Sequence, residues 1–290
     1  RPRRDGGVPQ ELSAQRLRAR RWTPTAARRR LAGTRLRAGD RRGSLAHMTA
    51  SSTPPSTSLS PSTAPTSPTS TASETGAIRR ALVFDLDGTL IDSLPDIVWS
   101  FRAAFEAEAA PAPTEADVRA LIGRPLEEMV AAFVSDGADV TPICDAYRRI
   151  YPLHFTERTR PFPGATEVLA EVRRRGWATA VATTKRTAMA RRLVAALGLD
   201  AYLDHVQGTD DLPHKPAPDV IHAALAALGA EGAWMVGDTV SDLQAGRAAG
   251  LRTYAVSWGT HDARRLAEAE PDALEPDLWR LLELVPEQAV

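Results

Sequence analysis

Residues 81–93 read ALVFDLDGTLIDS, an apolar run that ends in two carboxylates, Asp85 and Asp87. The run ALVF has the composition of a buried strand, and alternate residues of a strand point to the same side. Asp85 and Asp87 are therefore expected to face the same way, and two carboxylates this close repel each other unless a cation or a shared proton intervenes. One interpretation is a strand that runs out into a polar turn. The other is a metal-assisted site at the carboxyl end of a sheet strand.

Further along the chain, short apolar runs alternate with helical patterns. The later strand candidates are ATAVA (178–182), LDHVQG (203–208), AWMVG (233–237) and RTYAV (252–256). The helical patterns cover about residues 164–175, 186–197, 216–228 and 240–249. Continuous apolar strands that alternate with helices predict a doubly wound, parallel (Rossmann-like) α/β sheet with helices on both faces.

One long interval interrupts this alternation. Residues 93–160 show only helical periodicity, and they are too many for a loop within a compact domain. We predict an α-helical cap inserted after the first strand, with residues 77–92 and 161–290 as the catalytic core. Trp99, Phe101 and Phe105 are expected to form the interior of this cap.

The N-terminal part has a different composition. Residues 1–47 contain fourteen arginines and three acidic residues, a net charge of +11, whereas residues 49–73 consist almost entirely of Ser, Thr, Pro and Ala. Neither segment has enough apolar surface to offset the entropy of ordering, so residues 1–76 are expected to be a disordered extension. Three interpretations of residues 1–47 remain: an over-extended start of the reading frame, a basic tail, or a targeting segment.

The composition also indicates the cellular compartment of the protein. The chain of 290 residues has one cysteine, Cys144, so an intrachain disulfide is impossible and a reducing compartment is expected. No apolar run approaches the length of a membrane span. We therefore expect a cytoplasmic protein without membrane association, either a monomer or a homodimer.

Candidate site residues, most of them polar, follow four of the predicted strands or begin the next helix. In chain order they are Asp85, Asp87, Gly88, Thr89, Thr183, Thr184, Lys185, Lys215, Asp238 and Asp242. Ligands of doubly wound sheets bind outside the carboxyl ends of the strands, so these groups should converge. Carboxylates without histidine or thiolate partners favour Mg²⁺, whereas lysine and threonine suit a phosphate. An aspartate beside such a phosphate can attack phosphorus and form an aspartyl-phosphate.

The segments DLDGTLIDS, ATTK, HKPAPD and GDTVSD resemble the four motifs of the haloacid dehalogenase-like superfamily, over about residues 78–285. The resemblance implies that Asp85 is the nucleophile and that Asp87 is the general acid and base, with its backbone carbonyl also on Mg²⁺. It implies that Thr183 and Lys215 hold the transferring phosphoryl group. The remaining implied roles are metal binding for Asp85, Asp238 and Asp242, with Asp242 either ligating or acting through water, and substrate binding for Gly88, Thr89 and Thr184.

The sequence departs from the family pattern at one position. Thr184 stands where the second motif usually has Asn, which affects only local hydrogen bonding. Three other features indicate which branch of the superfamily the chain resembles. Asp87 favours phosphoryl transfer, because the dehalogenase branch lacks this carboxylate, and residues 93–160 lack the lysine of the phosphonatase branch. The insertion point and the segments DSLPDI (92–97) and RPFPGATEVL (160–169) resemble phosphoglycolate phosphatases.

The sequence thus predicts a Mg²⁺-dependent phosphatase for a small phosphorylated metabolite, such as a phosphoglycolate-like compound or a sugar phosphate. Arg124, in LIGRPLEEM (121–129), is the candidate for binding a substrate carboxylate or second phosphate. Alternatives within enzymes are an inorganic pyrophosphatase and a β-phosphoglucomutase-like transferase. An alternative of another class is a nucleic-acid-associated protein tethered by residues 1–47, although no nucleic acid is expected as partner of the folded part.

Overall fold

The computed structural model describes residues 79–288. The strands in chain order are β1 (Arg80–Phe84), β2 (Ile91–Asp92), β3 (Arg160–Pro161), β4 (Ala178–Thr183), β5 (His205–Gly208), β6 (Glu231–Gly237), β7 (Arg252–Val256) and β8 (Ala273–Glu275). The helices are α1 (Leu94–Ala107), α2 (Glu115–Arg119), α3 (Leu126–Ala131), α4 (Thr141–His154), α5 (Ala165–Arg174), α6 (Thr187–Ala196), α7 (Asp219–Leu228), α8 (Val240–Ala248), α9 (Ala263–Ala267) and α10 (Leu281–Leu284).

Six of the strands form one parallel sheet in the order β5-β4-β1-β6-β7-β8. The chain builds one half outward from β1 through β4 to β5, and then returns to build the other half from β6 to β8. The order of the strands therefore reverses between β1 and β6, where a crevice opens at the carboxyl ends of a doubly wound sheet. The predicted fold class is confirmed.

The central strand is buried on both faces. Leu82 and Phe84 belong to the larger hydrophobic core together with residues of α5, whereas Val83 packs in a second core with Val220 of α7 and Ala245 of α8. This alternation follows from the pleat of the strand, which points successive side chains to opposite faces. A strand covered in this way must be apolar along its whole length, which is why ALVF was recognisable in the sequence.

Four helices, α1–α4, lie between β2 and β3, and residues 93–160 are called the helical insertion below. β2 and β3 pair antiparallel, Ile91 with Pro161 and Asp92 with Arg160, so the two connections to the sheet run side by side. Phe101 and Phe105 are fully buried in the insertion, as expected. The expectation for Trp99 is wrong, because its side chain is 40% exposed and packs at the surface against the His154 ring, 4.3 Å between centroids.

Asp96 fixes the start of the insertion to its end. Its carboxylate is completely buried in the first turn of α1 and accepts hydrogen bonds from Arg158 N (2.9 Å), Thr159 N (2.8 Å) and Thr159 Oγ1 (2.8 Å). The Arg158 guanidinium lies 3.4 Å from the other carboxylate oxygen. Because these donors are themselves buried or half-buried, Asp96 satisfies groups that would otherwise lack a partner.

Most predicted elements are present, with differences at their ends. The helix expected over 216–228 begins only at Asp219, since the prolines around Lys215 form a turn before it. The short elements α9, β8 and α10 were not predicted. The extension predicted over residues 1–76 lies outside the described residues. Within residues 79–288, none of the helices is long and apolar enough to cross a membrane.

Candidate active site

Asp85 directly follows the central strand β1 and is held at the sheet edge. Its backbone N donates to Val236 O of β6 (2.8 Å), which continues the parallel ladder by one residue. Lys215 Nζ lies 2.6 Å from Asp85 Oδ1, 2.6 Å from Asp242 Oδ1 and 3.1 Å from Ala182 O of β4. The lysine is buried and therefore joins the ends of three neighbouring strands through one ammonium group.

Asp238 follows β6 and is completely buried. Its Oδ1 accepts from Thr89 Oγ1 (2.8 Å), and its Oδ2 accepts from Thr260 N (2.7 Å). The hydroxyl of Thr89, predicted to bind substrate, is thus directed at Asp238. These bonds fix the orientation of the carboxylate, as partners of a metal ligand usually do.

The loops around Asp238 come so close that two positions have no room for a side chain. A Cβ at Gly88 would lie 2.4 Å from Asp238 Oδ2, and a Cβ at Gly259 would lie 2.3 Å from Asp238 Cβ. Gly88 also has φ +88°, a conformation that L side chains rarely adopt. The candidate Gly88 therefore serves the shape of the site, because it lets the loop after β1 close over Asp238.

Asp242 lies in the first turn of α8 and has two sets of partners. Its Oδ2 accepts from Thr239 N (2.9 Å) and Thr239 Oγ1 (2.6 Å), while Thr239 Oγ1 accepts from Asp242 N, which together form a capping box. Its Oδ1 faces Lys215. The spacing Thr-x-x-Asp in GDTVSD thus caps the helix and directs one carboxylate oxygen into the site.

Asp85, Asp238 and Asp242 form a buried acidic cluster. One carboxylate oxygen from each lies within 4.8 Å of the others. Burial raises the pKa of Asp85 well above its ordinary value; Lys215 lowers it, and repulsion from Asp242, Asp238 and Asp87 raises it further. Burial and the charge of Asp242 raise the pKa of Asp238 to about 6. Burial therefore disfavours the charged forms of Asp85 and Asp238.

A divalent cation fits this cluster. Among residues 79–288, the carboxylates of Asp85, Asp87, Asp238 and Asp242 face two ammonium groups, those of Lys185 and Lys215. When all six groups are ionised, two negative charges remain unbalanced in a buried site, where charge is costly. The ligands are oxygens without nitrogen or sulfur, a set that suits a hard ion such as Mg²⁺.

Asp87 has different partners from Asp85. Lys185 Nζ lies 3.0 Å from Asp87 Oδ1, and Ser93 Oγ donates to the same oxygen. The Lys185 ammonium also lies 4.8 Å from the centroid of the Tyr151 ring. Burial lowers the pKa of Lys185, but the nearby Asp87 and other groups outweigh it, and the pKa lies above its ordinary value. Lys185 was among the residues expected to converge at the strand ends, whereas no role was predicted for Ser93 or Tyr151.

Thr183 is the last residue of β4, and Thr184 directly follows it. Thr183 is completely buried, and its Oγ1 accepts from Lys185 N (3.3 Å). Thr184 lines a cavity of about 520 Å³ that also reaches Asp87 and Lys185. The structure thus brings the predicted residues of the four motifs to one edge of the sheet, where the strand order reverses.

The helical insertion forms the other wall of the cavity. Arg124 lines it from the segment between α2 and α3, and Tyr147 and Tyr151 line it from α4. A Cβ at the neighbouring Gly123 would lie 3.7 Å from Thr239 Cγ2, so this segment contacts the loop after β6. Within residues 79–288, the Arg124 guanidinium makes no ion pair.

Comparisons with known proteins agree with this arrangement. Residues 82–256 match the haloacid dehalogenase-like hydrolase family. The chain is 37% identical to the probable phosphatase IndB of Dickeya dadantii over 67% of this chain and 87% of that protein. It is 33% identical to a phosphoglycolate phosphatase of Nitrosospira multiformis, covering 71% and 95%, and 31% identical to the pyrophosphatase PpaX of Bacillus velezensis, covering 70% and 95%.

The chain belongs to the haloacid dehalogenase-like hydrolase family. This assignment agrees with the fold, with the carboxylate pair that follows β1 and with the relatives. The protein is accordingly a hydrolase.

Proposed function

We propose that the protein is a Mg²⁺-dependent phosphatase that hydrolyses a small phosphomonoester through an aspartyl-phosphate. The observation that carries this proposal is the position of Asp85 within the acidic cluster, with its Oδ1 2.6 Å from the Lys215 ammonium. A nucleophile placed in this way can meet a phosphate whose charge is neutralised by Lys215 and by a cation held in the cluster. A cytoplasmic location is part of the proposal and rests on the single cysteine, Cys144, which is buried.

The first chemical step is attack of Asp85 on phosphorus. Lys215 holds Asp85 Oδ1, and Oδ2 is the attacking atom, which forms the bond to phosphorus as the bond to the ester oxygen breaks. Asp87 donates its proton to the departing oxygen. Lys215 and Thr183 bind the oxygens of the phosphoryl group while it moves.

The second step returns the enzyme to its starting state. Asp87, now a carboxylate, accepts a proton from water, the water oxygen attacks phosphorus, and the bond to Asp85 breaks to release inorganic phosphate. Lys185 and Ser93 orient the Asp87 carboxylate in both steps through their contacts with Oδ1. The two steps together consume the ester and one water molecule and release the alcohol and inorganic phosphate, so no further reactant is needed.

The residues that would hold Mg²⁺ are Asp85, Asp238 and Asp242, with the backbone carbonyl of Asp87. When bound, Mg²⁺ neutralises charge between the carboxylates and the phosphate. We assign the Thr89 hydroxyl to orienting Asp238, since it donates to that carboxylate.

We further propose that the helical insertion is a cap over residues 77–92 and 161–290. Its closure would exclude bulk water and strengthen charge contacts inside the cavity. Arg124 is the cap residue that we assign to a second anionic group of the substrate, since it lines the cavity next to Gly123, which contacts the loop after β6. Thr184 would contact the substrate from the opposite wall.

The substrate class rests on the relatives. The phosphoglycolate phosphatase supports a phosphomonoester, and the pyrophosphatase PpaX supports inorganic pyrophosphate as the second candidate. The nucleic-acid tether depends on residues 1–47, which lie outside the described residues.

Phosphate release by the purified full chain tests the proposal. With Mg²⁺, we expect hydrolysis of p-nitrophenyl phosphate and of at least one ester among phosphoglycolate and sugar phosphates, and none after chelation. Pyrophosphate hydrolysed far faster than every ester would favour the second candidate. No hydrolysis of any of these compounds with Mg²⁺ would contradict the proposal.

A further inference from the structure

The cavity beside Asp87 is large for a two-carbon phosphoester. Its volume is about 520 Å³, within the range of roughly 300–1,000 Å³ found for sites that bind drug-sized ligands. Phosphate itself would occupy the end of the cavity at Asp87. The remaining space must therefore be filled by the organic part of the substrate or by water.

The wall of this remaining space is mainly apolar. Its partly exposed apolar side chains come from both the insertion and α6, and they include Ile122, Leu126 and Met189. A small, strongly hydrated substrate would leave this surface in contact with water. An apolar body of the substrate would instead remove it from water, which is favourable in proportion to the area covered.

Tyr151 lines the same cavity and carries a buried hydroxyl. The residue is 3% exposed, and within residues 79–288 its hydroxyl is buried without a hydrogen-bond partner. Its ring lies under the Lys185 ammonium and stacks on Tyr147, 5.2 Å between centroids and 10° between planes. A buried hydroxyl without a partner is costly, so a ligand atom that accepts its hydrogen bond would bind favourably.

We infer that the substrate is a monophosphate ester whose organic part carries a ring, or an apolar body of similar size, and a hydrogen-bond acceptor for Tyr151. This inference rests on the proposed phosphatase function and narrows its substrate class. The phosphate lies at Asp85 and Asp87, the ring lies against the apolar wall from the helical insertion and α6, and Arg124 lies at the exposed rim.

Two alkyl esters of similar leaving-group reactivity test the ring. We expect kcat/KM of the full chain for 2-phenylethyl phosphate to exceed that for ethyl phosphate by about 30-fold, the effect of burying a phenyl ring. It should also exceed kcat/KM for phosphoglycolate. Equal values for the two alkyl esters, or a clear preference for phosphoglycolate, would overturn the inference.

A variant that fills the cavity tests the location of the ring. Ala188 lines the cavity in the first turn of α6, and its side chain is exposed, so Ala188→Phe should fold. We expect this variant to lower the ratio of kcat/KM between 2-phenylethyl and ethyl phosphate by about tenfold. Ala195→Phe is the matched control, since Ala195 is exposed on the same helix and does not line the cavity. An unchanged ratio in Ala188→Phe would contradict this location.

Pyridyl analogues test the hydroxyl of Tyr151. Among 2-(2-pyridyl)-, 2-(3-pyridyl)- and 2-(4-pyridyl)ethyl phosphate, at least one should exceed 2-phenylethyl phosphate by about fivefold, and Tyr151→Phe should remove this gain. A gain that persists in Tyr151→Phe, or no gain with any isomer, would overturn the role of the hydroxyl. Lack of hydrolysis of all these esters and of p-nitrophenyl phosphate would instead contradict the phosphatase function.

Discussion

Lys185 Nζ lies 3.0 Å from Asp87 Oδ1, so the loop after β4 is tied to the loop after β1 by an ion pair with little exposure to solvent. Each of the two lysines of the chain forms an ion pair with a different one of these carboxylates: Lys215 with Asp85, and Lys185 with Asp87. This division would separate the proposed nucleophile from the proposed acid and base, although only one residue lies between them in sequence.

Replacing Lys185 tests the orientation of Asp87. We expect Lys185→Met to lower kcat by about 10- to 100-fold and to change KM for p-nitrophenyl phosphate by less than about threefold, since the variant disturbs proton transfer more than binding. Steady-state kinetics measures this split. Lys185→Arg keeps the charge and should recover part of kcat, whereas wild-type kcat in Lys185→Met would contradict the role.

Replacing Asp85 tests the nucleophile. Asp85→Asn keeps the size of the side chain and removes the attacking charge, so turnover should fall by about 10³-fold or more while the melting temperature stays near that of the wild type. Asp211→Asn changes an exposed carboxylate of a nearby turn and should leave turnover unchanged. Retention of more than about a tenth of wild-type activity in Asp85→Asn would exclude the aspartyl-phosphate.

Chelation and metal addition test the acidic cluster. We expect EDTA to abolish turnover, Mg²⁺ to restore it, and Ca²⁺ to inhibit, because its looser coordination misplaces the phosphate. Mg²⁺ should also raise the melting temperature of the chelated protein, and Asp238→Ala should remove this rise. Full activity in EDTA, or the same thermal shift in Asp238→Ala, is incompatible with this site.

Arg124 is tested by its preference for a second anion. A charged hydrogen bond to a carboxylate is worth roughly 2–3 kcal/mol, so Arg124→Ala should lower kcat/KM for phosphoglycolate about 30- to 100-fold. The effect on ethyl phosphate, which has no second anion, should be small. Equal losses for both esters would mean that Arg124 supports the fold or the chemistry.

Asp96 is tested by stability. Asp96→Ala would leave the buried donors of Arg158 and Thr159 without their acceptor, which should lower the free energy of unfolding by about 3 kcal/mol. Denaturant unfolding measures this change. Asp92→Ala, at an exposed carboxylate four residues earlier, should stay within about 0.5 kcal/mol of the wild type. A loss below about 1 kcal/mol in Asp96→Ala would contradict the argument.

The sheet could be predicted because its strands must be apolar on both faces, and because the residues that follow them meet at one edge. This placed Asp85, Thr183 and Asp238 together from sequence alone. The contact of Lys185 with Tyr151 could not be found in this way, since it depends on how α4 approaches the sheet. Trp99 was misplaced because a large apolar side chain suggests a core position, whereas its place on α1 directs it to the surface.

The pairing of β2 with β3 has a consequence for how such a chain can change. Because Ile91 lies opposite Pro161, the polypeptide leaves the sheet and re-enters it at adjacent points, however many residues lie between. A segment with neighbouring ends can be excised, shortened or exchanged for another without altering the register of β1 and β4. The helical insertion, which we propose to select the substrate, is therefore modular with respect to the core that we propose to break the phosphate bond.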